Sequence, residues 1–462
     1  MLSFVKKPGS YFLAVIMTAV MLTGCSGSQP APSESTQSIP AKSASTQSAG
    51  TDEKKQVTVS WFTETTDETG TVNFKKFYLE PLAKALPNIK IDWRPTADWD
   101  KTLKIELAAG QGADLLSMDG PAVAAEYVEA DRLTDLTPYG GKYGWDKIIY
   151  PWAYNICKAN DKLMSIPNGI EALVMYYRTD VFSKNGWSMP TGAAAFDKLL
   201  KDEKAAGYIP MSFGTAGDVA PNEHWISVAL NCYAGSQKVK EALQGKAKWT
   251  DPDLKAAFQK LVDLWQNGYL SERNSQSVNM QDASALLAQG RASMAMNGTW
   301  CFWVYSTFYP DMPWDVTAIP NLKDDSKPVV PVSLSGVWAI NKNSKVADAS
   351  ADIINFLLTN PELNVKGVEE ADYTPLPIGL KASMFSDKID SKKLKMYDML
   401  FKAQESGEIG YCTWTFWPPK TRNYLMENID GVFLGQTTLD VYLDKMQKIF
   451  DEELAAGKVP KF

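Results

Sequence analysis

At 462 residues the chain has room for two or three ordinary domains, or for two large lobes. Hydrophobic residues at 45% and charged residues at 22% are the balance of a globular protein with a substantial core, and a net charge of −7 with no long basic run excludes a nucleic-acid binder that works by neutralising phosphates. A single histidine, His224, rules against a polyhistidine zinc site and a Ser-His-Asp triad, so no cofactor or metal is expected.

Lys6 and Lys7 precede an apolar run, Tyr11–Met21, that is too short to span a membrane as a mature helix. Leu22-Thr23-Gly24-Cys25 follows and resembles the lipobox of bacterial lipoproteins. The resemblance implies cleavage after Gly24 and lipid attachment at Cys25, with residues 1–24 removed as a signal peptide. Residues 25–56 are rich in Ser, Thr, Pro, Ala and Gln and cannot bury enough surface to offset the entropy of ordering. They read as a flexible tether reaching roughly 30 Å. Cys157, Cys232, Cys301 and Cys412 remain, without CxxC spacing, and buried free thiols are the expectation.

The body alternates strand and helix from Val57 onward. Val57–Phe62, Ile89–Trp93 and Ala113–Met118 read as strands. Gly70–Leu86, interrupted by Pro81, Asp98–Ala109 and Pro121–Ala130 read as helices. This succession predicts a parallel α/β sheet, with ligand groups such as Glu64 and Asp119 beyond the strand ends. Leu173–Tyr177, Ile209–Phe213, Ala292–Met296 and Val332–Ile340 are further strands. Helices are predicted over Ala193–Ala206, from Asp251-Pro252 to Gly268, and over Ala283–Gln289. Two more run from Ser344 to Thr359 and from Thr438 to Ala455.

Several stretches in order resemble the family 1 extracellular solute-binding proteins of bacterial ABC importers. They are Ala113–Asp119 followed by Leu133–Tyr139, Ile166-Pro167 followed by Val174–Phe182, Gln289–Met294 followed by Asn297–Trp300, and Val337–Lys345. Arg178 stands where that family usually has Asn. The resemblance implies a type II two-lobed α/β fold, with residues 57–175 and 317–375 in one lobe and 176–316 and 376–462 in the other. Crossings are implied near Val174–Arg178, Val316–Ile319 and Tyr373–Pro377. It further implies a carbohydrate ligand held by hinge closure, ABC permease subunits as partners, and a monomer held by its lipid on the extracytoplasmic face of the cell membrane.

Sugar sites need aromatic faces for the ring and polar groups that repay the hydroxyls for lost water. Trp300, in the family's Gly-x-Trp position, is the first candidate, with the core as its alternative within the apolar run Trp300–Tyr305; Phe302 and Trp303 beside it are assigned to the core. Asp119 and Glu64 follow strands, Asp119 with a helix N-cap as its alternative and Glu64 with a solvated loop acid as its. Glu171 precedes the hinge strand and has pairing with a lysine as its alternative. Trp338 follows the small Ser335-Gly336 loop, which permits close ligand approach, with the core as an equal alternative. Trp414 or Trp417, in the aromatic run Tyr411–Pro419, is expected to line the cleft. Arg422 offers itself to a ligand carboxylate or to a surface ion pair. Two other functions fit the same residues: an exported lyase or glycosidase using Asp119 and Glu171, and a sugar-sensing lipoprotein.

Overall fold

The computed structural model describes residues 55–64 and 67–462; Cys25 and the tether up to residue 54 lie outside the described residues. Three strands open the body: β1 (Val57–Glu64), β2 (Ile89–Thr96) and β3 (Leu115–Met118), with β1 central and parallel to both neighbours. The helix between β1 and β2 holds Pro81 by widening one turn to a π-helix at Lys75–Leu79 before continuing as Glu80–Ala85. A proline has no N–H for the preceding turn and its ring crowds the carbonyl four residues back, which a wider turn relieves.

After the small hairpin of β4 (Lys158–Ala159) and β5 (Lys162–Leu163) comes the longest strand, β6 (Ile166–Arg178). Three shorter strands follow: β7 (Ile209–Met211), β8 (Ala292–Gly298) and β9 (Trp314–Thr317). Two more complete the set, β10 (Val330–Ile340) and β11 (Ile409–Tyr411). The main sheet runs β2-β1-β3-β10-β6-β8-β7, with β11 on β10 and β9 on β6. It is mixed, because β10 lies antiparallel to β3 and β6, so the parallel arrangement expected from the opening stretch holds only there and at β7–β8 and β10–β11.

Strand β6 changes partners along its length. Residues Ile166–Ala172 pair with β10, and from Leu173 onward the strand pairs with β8 and β9. The change sits where Thr299 clasps Ala172: its N–H donates to the Ala172 carbonyl at 2.9 Å, and its hydroxyl accepts the Ala172 N–H at 3.3 Å. A bulge in β10 between Leu334 and Gly336 lies beside it. Gly336 is required there, since a Cβ would stand 2.7 Å from the Met118 carbonyl oxygen.

The core takes most of the large rings. Trp61, Trp145, Trp225, Trp249, Trp265 and Trp417 are among its largest fully buried side chains. On helix Pro252–Gln266, Leu254, Phe258, Leu261, Val262 and Trp265 are all buried, as their spacing predicts. All four body cysteines are buried free thiols. Two expectations are corrected. Trp303 is not core: helix Cys301–Phe308 turns Phe302 and Tyr305 inward and leaves Trp303 39% exposed, edge-on to Phe308. Ser344 does not start its helix, which runs Ala347–Leu358; its hydroxyl donates to Asp114 at 2.7 Å. No helix among the described residues is long and apolar enough to cross a membrane.

Candidate ligand-binding cleft

Three segments bring rings together beside the partner change of β6. Trp300 follows β8, His224 lies on helix Pro221–Ala229, and Trp414 lies on the single turn Thr413–Phe416. The His224 ring stands 5.4 Å from Trp300 and 5.2 Å from Trp414, and the two indoles are 6.1 Å apart, all edge to face. Gly298 makes this possible. Any Cβ there would fall 2.0 Å from the Trp300 ring, so the Gly-x-Trp spacing reflects the seat of the indole. Trp300 and Trp414 are half-buried. Burial holds the His224 pKa down to about 4, so its imidazole is neutral at pH 7, with one donor and one acceptor nitrogen.

Glu171 joins the rings to the carboxylates. Its Oε1 accepts from Trp414 Nε1 at 3.2 Å and from the Ser333 hydroxyl at 3.1 Å. Burial, aided by repulsion from Asp119, pushes its pKa up to about 8 despite those two donors. Among the described residues it pairs with no lysine. Asp119 stands at the start of helix Gly120–Glu129 but its side chain makes no capping bond, so the N-cap alternative is not realised. Asp119 still touches water, yet the surrounding walls raise its pKa by desolvation; Arg422 works the other way, while Glu223 and Asp100 repel it. Glu64, the exposed last residue of β1, is raised by desolvation and by Asp119.

A cavity of about 330 Å³ continues from Glu64 and is lined by Trp61, Phe74, Trp93, Trp338 and Tyr373 among others. Phe74 and Trp93 stack at 4.5 Å and 12°. Both strand indoles are anchored, Trp93 Nε1 donating to Thr63 Oγ1 at 2.9 Å and Trp61 Nε1 to Ser117 Oγ at 3.2 Å. Trp338 is nearly buried behind Trp61, so it serves as both core and cavity wall.

The remaining two candidates are placed otherwise. Trp417 is fully buried, 5.2 Å from Trp249, and belongs to the core. Helix Pro419–Phe433 starts two residues after it, behind Pro418. Arg422 is neither free for a ligand nor in a surface pair. Its Nε and an Nη donate to Glu223 at 2.9 and 2.7 Å, and Glu223, only 2% exposed, also accepts from Thr413 Oγ1 at 2.8 Å. Sequence reasoning missed Glu223, His224 and the Trp61–Phe74–Trp93–Tyr373 wall. One signal was available for the wall: Trp61 and Trp93 occupy matching places in two adjacent strand patterns, and the parallel register pairs them directly. Among the described residues no group of His, Cys, Asp and Glu is arranged to hold a metal ion.

Residues 57–395 match the model of the bacterial extracellular solute-binding protein family. This chain belongs to that family. A curated relative of this solute-binding protein, the multiple sugar-binding protein of Streptococcus mutans, is 22% identical over 356 residues, or 74% of this chain and 82% of the relative. Among solved structures, one from work on xylan utilization by the thermophilic bacterium Caldanaerobius polysaccharolyticus superposes with a TM-score of 0.71. It is 20% identical and covers 85% of this chain and 99% of its own. A chitin oligosaccharide binding protein gives 0.67 at 21% identity, covering 85% and 98%. RafE in complex with raffinose gives 0.65 at 19% identity, covering 85% and 100%. These likenesses establish the fold, a mixed α/β architecture shared with sugar-binding transport proteins.

Proposed function

We propose that this solute-binding protein captures a carbohydrate, an oligosaccharide rather than a single sugar, and delivers it to the permease of an ABC importer. The observation that carries the reading is the grouping of Trp300, His224 and Trp414 with Glu171, whose pKa Asp119 raises; Asp119 acts likewise on Glu64, which lines an aromatic cavity. Half-buried indoles supply faces for pyranose rings, and carboxyls and a neutral imidazole supply acceptors and donors for hydroxyls. The names of the relatives, which bind multiple sugars, chitin oligosaccharide and raffinose, support the same class.

In this reading the lobes are residues 57–175 with 317–375 and residues 176–316 with 376–462, and β6 crosses between them. The protein acts as a monomer tethered through lipid at Cys25 to the extracytoplasmic face of the membrane. It binds and releases without turnover. A ligand drives closure only if it binds the closed state better than the open one. The test is a thermal-shift screen of the tether-deleted body against oligosaccharides, followed by small-angle scattering with any that stabilise it. A ligand at about 100 times its Kd adds roughly 2.7 kcal/mol, and the radius of gyration should fall on binding. No stabilisation across the panel, or identical scattering at saturation, would refute the reading. Cys25→Ala should move the full-length protein from the membrane to the soluble fraction; retention of the variant would refute the anchor.

A further inference from the structure

The charges around the cleft bear on which sugars it takes, an inference that rests on the carbohydrate reading. Among the described residues, the acidic groups around the rings and the cavity include Glu64, Asp119, Glu171, Glu223 and Asp372. Among the described residues, the cations that pair with this group, Arg422 and Lys393, are both already committed. Arg422 is bound through two nitrogens by the buried Glu223. Lys393 is paired with Asp372, and its ammonium also donates to the Val368 carbonyl at 3.1 Å. Among the described residues, Glu64, Asp119 and Glu171 form no ion pair. No residue lining the 330 Å³ cavity carries a positive charge. The rings add to the bias, since an aromatic face attracts a cation and repels an anion.

We propose that the cleft selects its sugar by charge: it takes an uncharged or ammonium-bearing saccharide and rejects one bearing carboxylates, with Glu64 and Asp119 as the excluding groups. A neutral sugar meets these carboxylates through its hydroxyls. An ammonium group finds carboxylates that no cation pairs directly. A uronate brings a charge that no free cation receives, and on closure it loses water beside like charges. Arg422 cannot turn to it without leaving Glu223 unpaired in the core.

The experiment titrates the tether-deleted body by calorimetry with trisaccharides of glucose, mannose and galactose, each with its C6-carboxylate counterpart, and with triglucosamine. The expected result is that each carboxylate form binds at least ten-fold more weakly than its neutral parent, equivalent to about 1.4 kcal/mol. Triglucosamine should bind at least as tightly as the glucose trisaccharide. Asp119→Asn should narrow the neutral-to-acidic ratio, and raising the salt concentration should narrow it further. A carboxylate form that binds as tightly as its parent, or a ratio that Asp119→Asn leaves unchanged, would overturn the charge selection while leaving the carbohydrate reading intact. Absence of binding by all seven compounds would overturn the carbohydrate reading, and this inference with it.

Discussion

Glu203 gives a direct test of how burial sets the ionisation of this protein, independent of any ligand. It lies on helix Ala193–Ala205, is 0% exposed, and neither carboxylate oxygen has a hydrogen-bond partner. Burial pushes its pKa up to about 9, with the nearby Ser293 hydroxyl acting in the opposite direction and Asp202 adding repulsion. In the unfolded chain a glutamate titrates near ~4.3. Between those two values the native state holds one more proton than the unfolded state, so unfolding free energy falls as pH rises. The contribution is complete below the unfolded value and is lost as pH climbs through the native one. The linkage slope for one proton is about 1.4 kcal/mol per pH unit, or up to roughly 4 kcal/mol between pH 5 and pH 8. Glu203→Gln keeps the shape and removes the titration. Its amide protons cost a constant amount at every pH, so the slope rather than the offset is the readout. Urea denaturation of both proteins at pH 5, 6, 7 and 8 should show the variant gaining on the wild type by about 1 kcal/mol per unit. Parallel stability curves would mean that Glu203 is ionised or solvated in the native state, and the burial argument would fail.

Other predictions concern the cleft. Trp300→Ala should weaken oligosaccharide binding about ten-fold or more by calorimetry, while the melting temperature moves little because the ring is half-buried; an unchanged Kd with a large drop in melting temperature would make Trp300 a core residue. Glu171, raised to about 8, should be buried further on closure, so the closed state holds its proton more tightly and affinity falls as pH rises above about 8, by at most ten-fold per unit. Glu171→Gln should keep both hydrogen bonds and bind with a flat pH profile over the same range; a profile as steep as the wild type's would locate the proton elsewhere. Arg422→Ala should destabilise the fold by roughly 3–5 kcal/mol in denaturant titrations, because Glu223 is left buried without its cation, and Glu223→Gln in the same chain should recover part of the loss.

Much of this was legible locally. The first three strands and the helices between them announce themselves by period, and helix Pro252–Gln266 buries the face that its spacing defines. Trp300 stood out through its resemblance to the family's Gly-x-Trp position, and in the structure its indole folds back onto Gly298. Asp119 and Glu64 stand out because strand ends are where a sheet presents its side chains, whereas Glu171, expected just before a strand, lies inside β6.

What the chain could not declare in one dimension is which ring of an aromatic run faces the cleft and which the core. Trp414 and Trp417 are three residues apart and chemically alike. One ends on Glu171 and the other on Trp249, because the turn Thr413–Phe416 and the helix beginning at Pro419 rotate them apart. His224 and Glu223 are adjacent, and a period cannot tell that one joins two indoles while the other anchors Arg422 from nearly two hundred positions away. Period and composition report the near neighbours of each residue along the chain. The meeting of β1, β3, β6, β8 and the Thr413 turn is a matter of long-range packing, and it alone decided which carboxylates are left without a cation.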